Sequence, residues 1–272
     1  MIIADYHLHS AFSSDSEAPM EQMIDRAIQL GLKKLCFTDH MDYDYPVQKN
    51  SYTFIFEPEG YYRKLEELKE QYKDKIEILT GVELGLQPHL KSQVDALVQS
   101  YPHDFIIGST HVVDHMDPYY PEYWMDKTAK EGIHRYYESI IESCKAIDCF
   151  HVYGHIDYIV RYVPEHLKKN FTYRYEDYSD ILDEVLKTIL SCGKGIEVNT
   201  SGYKYGLGRP HPEPKVLKRY RELGGELITI GSDAHKPEHL CYDFGVIPDL
   251  LKDIGFRYYA VFKQGKPIYE KL

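Results

Sequence analysis

The sequence predicts an α/β protein built on a largely parallel sheet, either closed into a barrel or open and doubly wound. Short apolar runs alternate with longer segments of helical periodicity along the chain, as βα units do. No fixed repeat, low-complexity tract or linker breaks that alternation, so residues 1–272 are expected to form a single domain. Seven successive apolar runs also end in a histidine, carboxylate or amide, at the edge where such sheets gather ligands.

The first strand is expected over 2–7. Its side chains alternate, so His7 and His9 leave on one side and Leu8 on the other. Two imidazoles so placed can share a cation; equally, they can be polar residues leaving a strand. A helix over 20–32 carries Met20, Met23, Ile24, Ala27, Ile28 and Leu30 at helical spacing, with Gly31 as its stop. The strand over 34–38 runs into Asp39-His40, and the strand over 76–83 ends in Glu83. The strand over 105–110 delivers His111; that over 152–155 delivers His155, then Asp157. The strand over 195–200 delivers Asn199 and Ser201, and that over 227–232 delivers Asp233 and His235. An eighth apolar run, 257–262, completes the set. Helices are expected between them over 59–72, 91–99, 127–146, 178–190 and 214–223, with a looser one over 237–254 interrupted by Gly245 and Pro248.

Composition narrows the function. The net charge of −11 argues against a nucleic-acid backbone as partner. No run of 18 apolar residues is long enough for a transmembrane helix, and no basic-then-apolar leader precedes the first strand. The five cysteines (Cys36, Cys144, Cys149, Cys192, Cys241) form no C-x-x-C pair, and four of them sit in apolar or helical contexts that suit reduced core residues. A cytoplasmic enzyme is the expected class. The 26 tyrosines have no explanation at this level.

Each strand-end residue alone has an ordinary role: a loop histidine, a turn carboxylate, an N-cap at Asp233. Together, six of the 14 histidines (His7, His9, His40, His111, His155, His235) fall at one rim with Glu83 and Asp233. Imidazoles with carboxylates and no thiolate suit zinc, manganese or iron, and there are too many for one ion. Two or three divalent metal ions are therefore expected.

The motifs D-Y-H-L-H at 5–9, T-D-H at 38–40, G-V-E at 81–83, G-S-T-H at 108–111, G-H-I-D at 154–157 and G-S-D-A-H at 231–235 resemble the ordered motifs of the PHP (polymerase and histidinol phosphatase) superfamily over nearly the whole chain. The run I-E-V-N-T-S-G at 196–202 is similar to the monofunctional histidinol-phosphate phosphatases within it. The resemblance implies a distorted (β/α)7 barrel with the metal site at the C-terminal ends of the strands; run 257–262 would then be an addition to it. It also implies that His7, His9, Glu83 and Asp233 hold one metal, that Glu83, His111 and His155 hold a second with Glu83 bridging, and that Asp15, His40 and His235 hold a third. Asp15, in S-S-D-S-E at 13–17, also suits an N-cap before the first helix. Asp39 is a candidate partner that orients a liganding imidazole.

The implied reaction is metal-dependent hydrolysis of L-histidinol phosphate to L-histidinol and phosphate, in histidine biosynthesis; another small-molecule phosphate ester, such as a phosphotyrosine or nucleotide, is the alternative. Three divalent ions outweigh the three carboxylates, so the cluster suits a phosphate dianion despite the acidic chain. Asp233, His235 and Glu83 are the expected catalytic groups, acting with metal-activated water. Arg161 is the leading candidate to grip phosphate, since its planar fork matches phosphoryl oxygens; it can also be a solvated surface charge. Lys204 and Arg209 are further candidates. The loop 112–124 carries acids, His115, tyrosines and the sole tryptophan, which can receive a cationic alcohol or pack as a rigid lid. An amidohydrolase also uses strand-end histidines, but no lysine stands at a strand end here, and a binding module without turnover would be expected to have lost ligands. The oligomeric state is not indicated.

Overall fold

The computed structural model describes residues 2–46, 53–169 and 171–272. Seven strands lie parallel in the order β1 (Ala4–Asp5), β2 (Lys34–Phe37), β4 (Glu77–Gly85), β5 (Phe105–Ser109), β6 (Val152–Tyr153), β7 (Gly195–Asn199) and β8 (Ile228–Gly231). The two-residue β3 (His40–Met41) pairs with the far half of β4. The last strand returns to the first: Tyr6 N–H donates to the Ile230 carbonyl (3.2 Å), Asp233 N–H to that of His7 (2.7 Å) and His9 N–H to that of Ala234 (2.8 Å). The sheet is thus a nearly closed barrel, as the resemblance implied, and not an open doubly wound sheet.

Helices cover the barrel by their apolar stripes. Met20, Met23, Ile24 and Ala27 of α1 (Met20–Gln29) are buried, and Gly31 follows at φ +79° as the stop. Next comes α2 (Pro58–Tyr72), which begins where Glu57 accepts from the Glu59 and Gly60 amides, with proline in the first turn. After α3 (Lys91–Ser100), the long α4 (Ala129–Ala146) opens on a reciprocal Thr128–Glu131 capping box. The short α5 (Glu165–Lys168) precedes α6 (Ser179–Ser191), and the one-turn α7 (Ser201–Lys204) precedes α8 (Pro214–Glu222). The stretch expected as one loose helix over 237–254 divides into two 3-10 turns and α9 (Ile247–Ile254), because Gly245 and Pro248 interrupt it.

The apolar run near 257–262 is not a barrel strand. It forms β9 (Tyr258–Lys263), which pairs antiparallel with β10 (Lys266–Lys271) in a separate hairpin. β10 was not legible because most of its residues are exposed and it lacks an apolar face. The hairpin packs under the barrel: Tyr6 OH donates to the Phe262 carbonyl (2.7 Å), and the Tyr259 hydroxyl accepts from Ile3 N–H (3.1 Å). His151 stacks on Phe262 (4.9 Å between centroids), and its Nδ1 accepts from Ile106 N–H (2.9 Å). Burial, with Lys194 nearby, lowers the His151 pKa from 6.5 to about 4. A depressed imidazole stabilises the fold above pH 6.5, and that contribution is lost as pH falls towards 4. The loss is on the order of 3 kcal/mol. His151→Gln, which cannot ionise, is expected to show a flatter fall of Tm between pH 6.5 and 4 than the unsubstituted chain; parallel curves would remove His151 from the acid response.

The abundant tyrosines are largely core residues whose hydroxyls are anchored. Tyr61 OH donates to the Gly81 carbonyl (3.0 Å), Tyr123 OH to that of Gly132 (2.6 Å) and Tyr220 OH to that of Leu227 (3.0 Å).

Candidate metal centre

The carboxyl ends of the strands bring all nine expected ligands together. His7 and His9 follow β1 with Leu8 fully buried between them, and Asp5 fastens this turn by accepting from Ser232 N–H (3.0 Å) and Ser232 OH (2.5 Å). The register of β3 sets His40 directly opposite Glu83 of β4. Glu83 is fully buried at the middle of the group. Its Oε1 lies 2.9 Å from His155 Nε2 and 3.4 Å from His111 Nε2. Its Oε2 lies 3.1 Å from His40 Nδ1, 3.3 Å from His7 Nε2 and 3.6 Å from His9 Nε2. Asp233, in the left-handed region at φ +53°, turns Oδ1 to within 3.5 Å of both His9 Nε2 and His235 Nδ1. Asp15 Oδ2 stands 3.0 Å from His235 Nε2 and 3.8 Å from His40 Nε2, so it faces the cluster.

These side chains fit divalent ions. Ligands at about 2.0–2.2 Å from one ion sit roughly 3–4 Å from each other, which is the spacing found. His7 Nε2, His9 Nε2, His40 Nδ1 and Glu83 Oε2 are buried without a hydrogen-bond partner. Orphaned polar atoms at one point are costly unless something binds there. Four sets of three can hold an ion: His7-His9-Asp233, His7-Glu83-His155, His40-Glu83-His111 and His9-His40-His235. Burial alone would raise the Glu83 carboxyl, but the rings of His7, His111 and His40 hold it well below the usual carboxylate range. Asp233 is held low in the same way, against burial, by His7 and His9. Burial, then the neighbouring His235 and His40, push His9 well below the ordinary imidazole range, which leaves a neutral ligand nitrogen.

A cavity of about 730 Å³ opens over the cluster. Arg161, at the end of a 3-10 turn, and Lys204, at the end of α7, line it. The Arg161 guanidinium lies 3.9 Å from the Tyr205 ring centre and donates to Tyr162 OH and to Ser201 OH (3.3 Å). Lys204 Nζ donates to the Asp233 carbonyl (3.1 Å), and burial lowers its pKa. Neither cation forms an ion pair with a carboxylate among the described residues. Arg209 and His115 are not brought to the cavity. Arg209 is held by Asp157 (2.8 Å), and the His115 side chain is 76% exposed beside Asp44. The loop 112–124 divides: Trp124 is buried and donates to the Pro118 carbonyl (2.8 Å), whereas Asp117 and Tyr119 line the cavity, Asp117 accepting from Tyr45 OH.

The sequence profile of the PHP domain matches residues 5–201. The chain belongs to the PHP domain family. Among its PHP relatives, the histidinol-phosphatase of Lactococcus lactis subsp. lactis is 31% identical over 266 residues, 95% of this chain and 93% of that protein. The crystal structure of histidinol phosphate phosphatase from the same organism, complexed with zinc, L-histidinol and phosphate, overlays with a TM-score of 0.86 at 29% identity. The match covers 97% of this chain and 98% of that one. A histidinol phosphatase candidate from Listeria monocytogenes covers 89% of this chain and 99% of its own, with a TM-score of 0.75; at 17% identity it speaks to the fold alone.

In this PHP centre three of the six clustered imidazoles are steered from behind, chiefly by residues that sequence reading missed. His111 Nδ1 pairs with buried Asp42 (2.8 Å) and His7 Nδ1 with buried Glu197 (2.6 Å). His9 Nδ1 meets Ser13 Oγ (3.0 Å), which donates to Asp39 (2.7 Å). Asp39 therefore acts through a serine and not directly on an imidazole. Glu197 did carry a signal: a carboxylate inside the apolar strand Gly195–Asn199 has to meet a partner in the barrel.

Proposed function

We propose that this PHP protein is a histidinol-phosphate phosphatase: a hydrolase releasing L-histidinol and phosphate from L-histidinol phosphate. The observation that carries the reading is a single cavity in which the histidine–carboxylate cluster faces two cations, Arg161 and Lys204, that form no ion pair with a carboxylate among the described residues. A phosphate dianion supplies that missing charge. The L. lactis relative, which overlays on nearly the whole chain, holds zinc, L-histidinol and phosphate.

In this reading His7, His9, Glu83 and Asp233 would hold one divalent ion, Glu83, His111 and His155 a second, and Asp15, His40 and His235 a third, with zinc, manganese or iron as occupants. When bound, such ions polarise phosphoryl oxygens and make water acidic enough to attack near neutral pH. Asp233, fixed by its left-handed backbone and by Lys204 on its carbonyl, orients the attacking water. Arg161 and Lys204 hold the phosphoryl group from the cavity wall, and Tyr205 keeps the guanidinium in place. His235, 20% exposed and the most open of the clustered histidines, borders the cavity. Asp117 and Tyr119 receive the cationic alcohol. The reading includes the chain acting as one domain, in the cytoplasm, within histidine biosynthesis. The five cysteines are free thiols, and among the described residues no helix is long and apolar enough to cross a membrane.

A panel of phosphomonoesters assayed with zinc- or manganese-loaded protein tests this. L-Histidinol phosphate is expected to be preferred in kcat/KM over tyrosine phosphate and nucleoside monophosphates. Preference for either competitor would replace histidinol as the leaving group while keeping the phosphatase.

A further inference from the structure

We infer that Glu197, which touches neither the cavity nor any expected substrate, is the positioning residue that fixes two walls of the metal centre at once. The inference rests on the metal-dependent reading above. Glu197 is 1% exposed, in the middle of β7. Its Oε1 pairs with His7 Nδ1 at 2.6 Å. Its Oε2 accepts from His155 N–H (2.9 Å) and from Asn199 Nδ2 (3.1 Å). The amide of Asn199 cannot turn the other way, because its Oδ1 already accepts from Ser201 N–H (2.9 Å). One carboxylate therefore grips the ring of His7 and the backbone of His155, residues 148 positions apart whose rings meet different oxygens of Glu83.

Oε2 is committed to two N–H donors, and Oε1 is left to accept a proton-bearing Nδ1. With an ion bound, that would select the His7 tautomer protonated on Nδ1 and leave the lone pair of Nε2, which has no hydrogen-bond partner among the described residues, free for the metal. The neighbouring backbone is shaped around this contact. A Cβ on Gly231 would fall 2.3 Å from His7 Cβ and 2.5 Å from Glu197 Oε1. A Cβ on Gly154, just before His155, would meet Ser109 Oγ at 2.4 Å and Ile107 Cγ2 at 2.8 Å, with Glu197 Oε2 at 3.5 Å. Only glycine lets β8 press against the His7–Glu197 pair, and Gly154 brings the end of β6 tight against Ser109 and Ile107 of β5.

Glu197→Gln keeps the shape of the side chain but not its three acceptances. With Oε1 towards His7, the new NH2 confronts the His155 and Asn199 donors; flipped, it confronts His7. The test is a Co²⁺ titration of chelator-treated protein, followed by the visible absorption of the bound ion, with the Tm of the metal-free protein measured in parallel. The expected result is a metal-free Tm close to that of the unsubstituted chain, Co²⁺ binding weakened about 10–100-fold and an altered cobalt spectrum. Unchanged Co²⁺ affinity and spectrum would overturn the inference, and so would a drop in Tm with unchanged affinity, since that marks a packing role alone. If Glu197→Gln does not fold, the same titration on Glu197→Asp, one methylene short of His7, decides by the same criteria. Failure of the unsubstituted chain to bind Co²⁺ would overturn the metal reading itself, and is told apart by arising without any substitution.

Discussion

Glu83→Gln is expected to lower kcat/KM by about 10³-fold, the upper range for removing one preorganised electrostatic group, and to reduce bound metal in the same preparation. The reason lies in the number of partners on one side chain. Five imidazole nitrogens lie within 2.9–3.6 Å of its two oxygens, and Ser109 OH donates to Oε1 at 2.6 Å. An amide keeps the size but gives up the charge, and it replaces one coordinating oxygen by an NH2 that cannot bind an ion. The carboxylate is held ionised by the rings around it, so the substitution removes a charge that is present at neutral pH. Steady-state kinetics together with metal analysis of the purified variant reads both effects. Near-normal turnover with full metal content would take Glu83 out of the centre.

Arg161→Ala is expected to act mainly on binding of the phosphate ester, raising KM and lowering kcat/KM by about 10–100-fold. Hydrogen bonds to charged groups are worth about 1.5–3 kcal/mol, and each 1.4 kcal/mol is tenfold. The guanidinium is set among the rings of Tyr158, Tyr162 and Tyr205 and forms no ion pair with a carboxylate among the described residues. Arg161→Lys keeps the charge but loses the fork, and should fall between the two. Inhibition by inorganic phosphate separates binding from chemistry: its constant should weaken in step with KM. Unchanged kinetics would make Arg161 a structural member of the tyrosine cluster.

Eight of the nine expected ligand positions were legible because a parallel barrel delivers residues at one rim in chain order, so each strand end announces its contribution without knowledge of its neighbours; Asp15, in the loop between β1 and α1, came only from the family resemblance. The partners behind them were not. Glu197 and His7 are 190 positions apart and meet only once β7 and β1 curve into one barrel. Asp42 stands two residues beyond His40 but serves His111, which comes from another strand. Arg161, Lys204 and Arg209 were all phosphate candidates by sequence; a 3-10 turn and a one-turn helix aim the first two at the cavity, whereas Arg209 is claimed by Asp157. The hairpin was half legible: β9 has an apolar face, whereas β10 has none to announce it.

Metal content measured beside activity tests the central claim most directly. The protein as purified should hold more than one divalent ion per chain. Chelation should abolish phosphate release from L-histidinol phosphate, and adding back zinc or manganese should restore it. A metal-free chain with undiminished turnover would contradict the account.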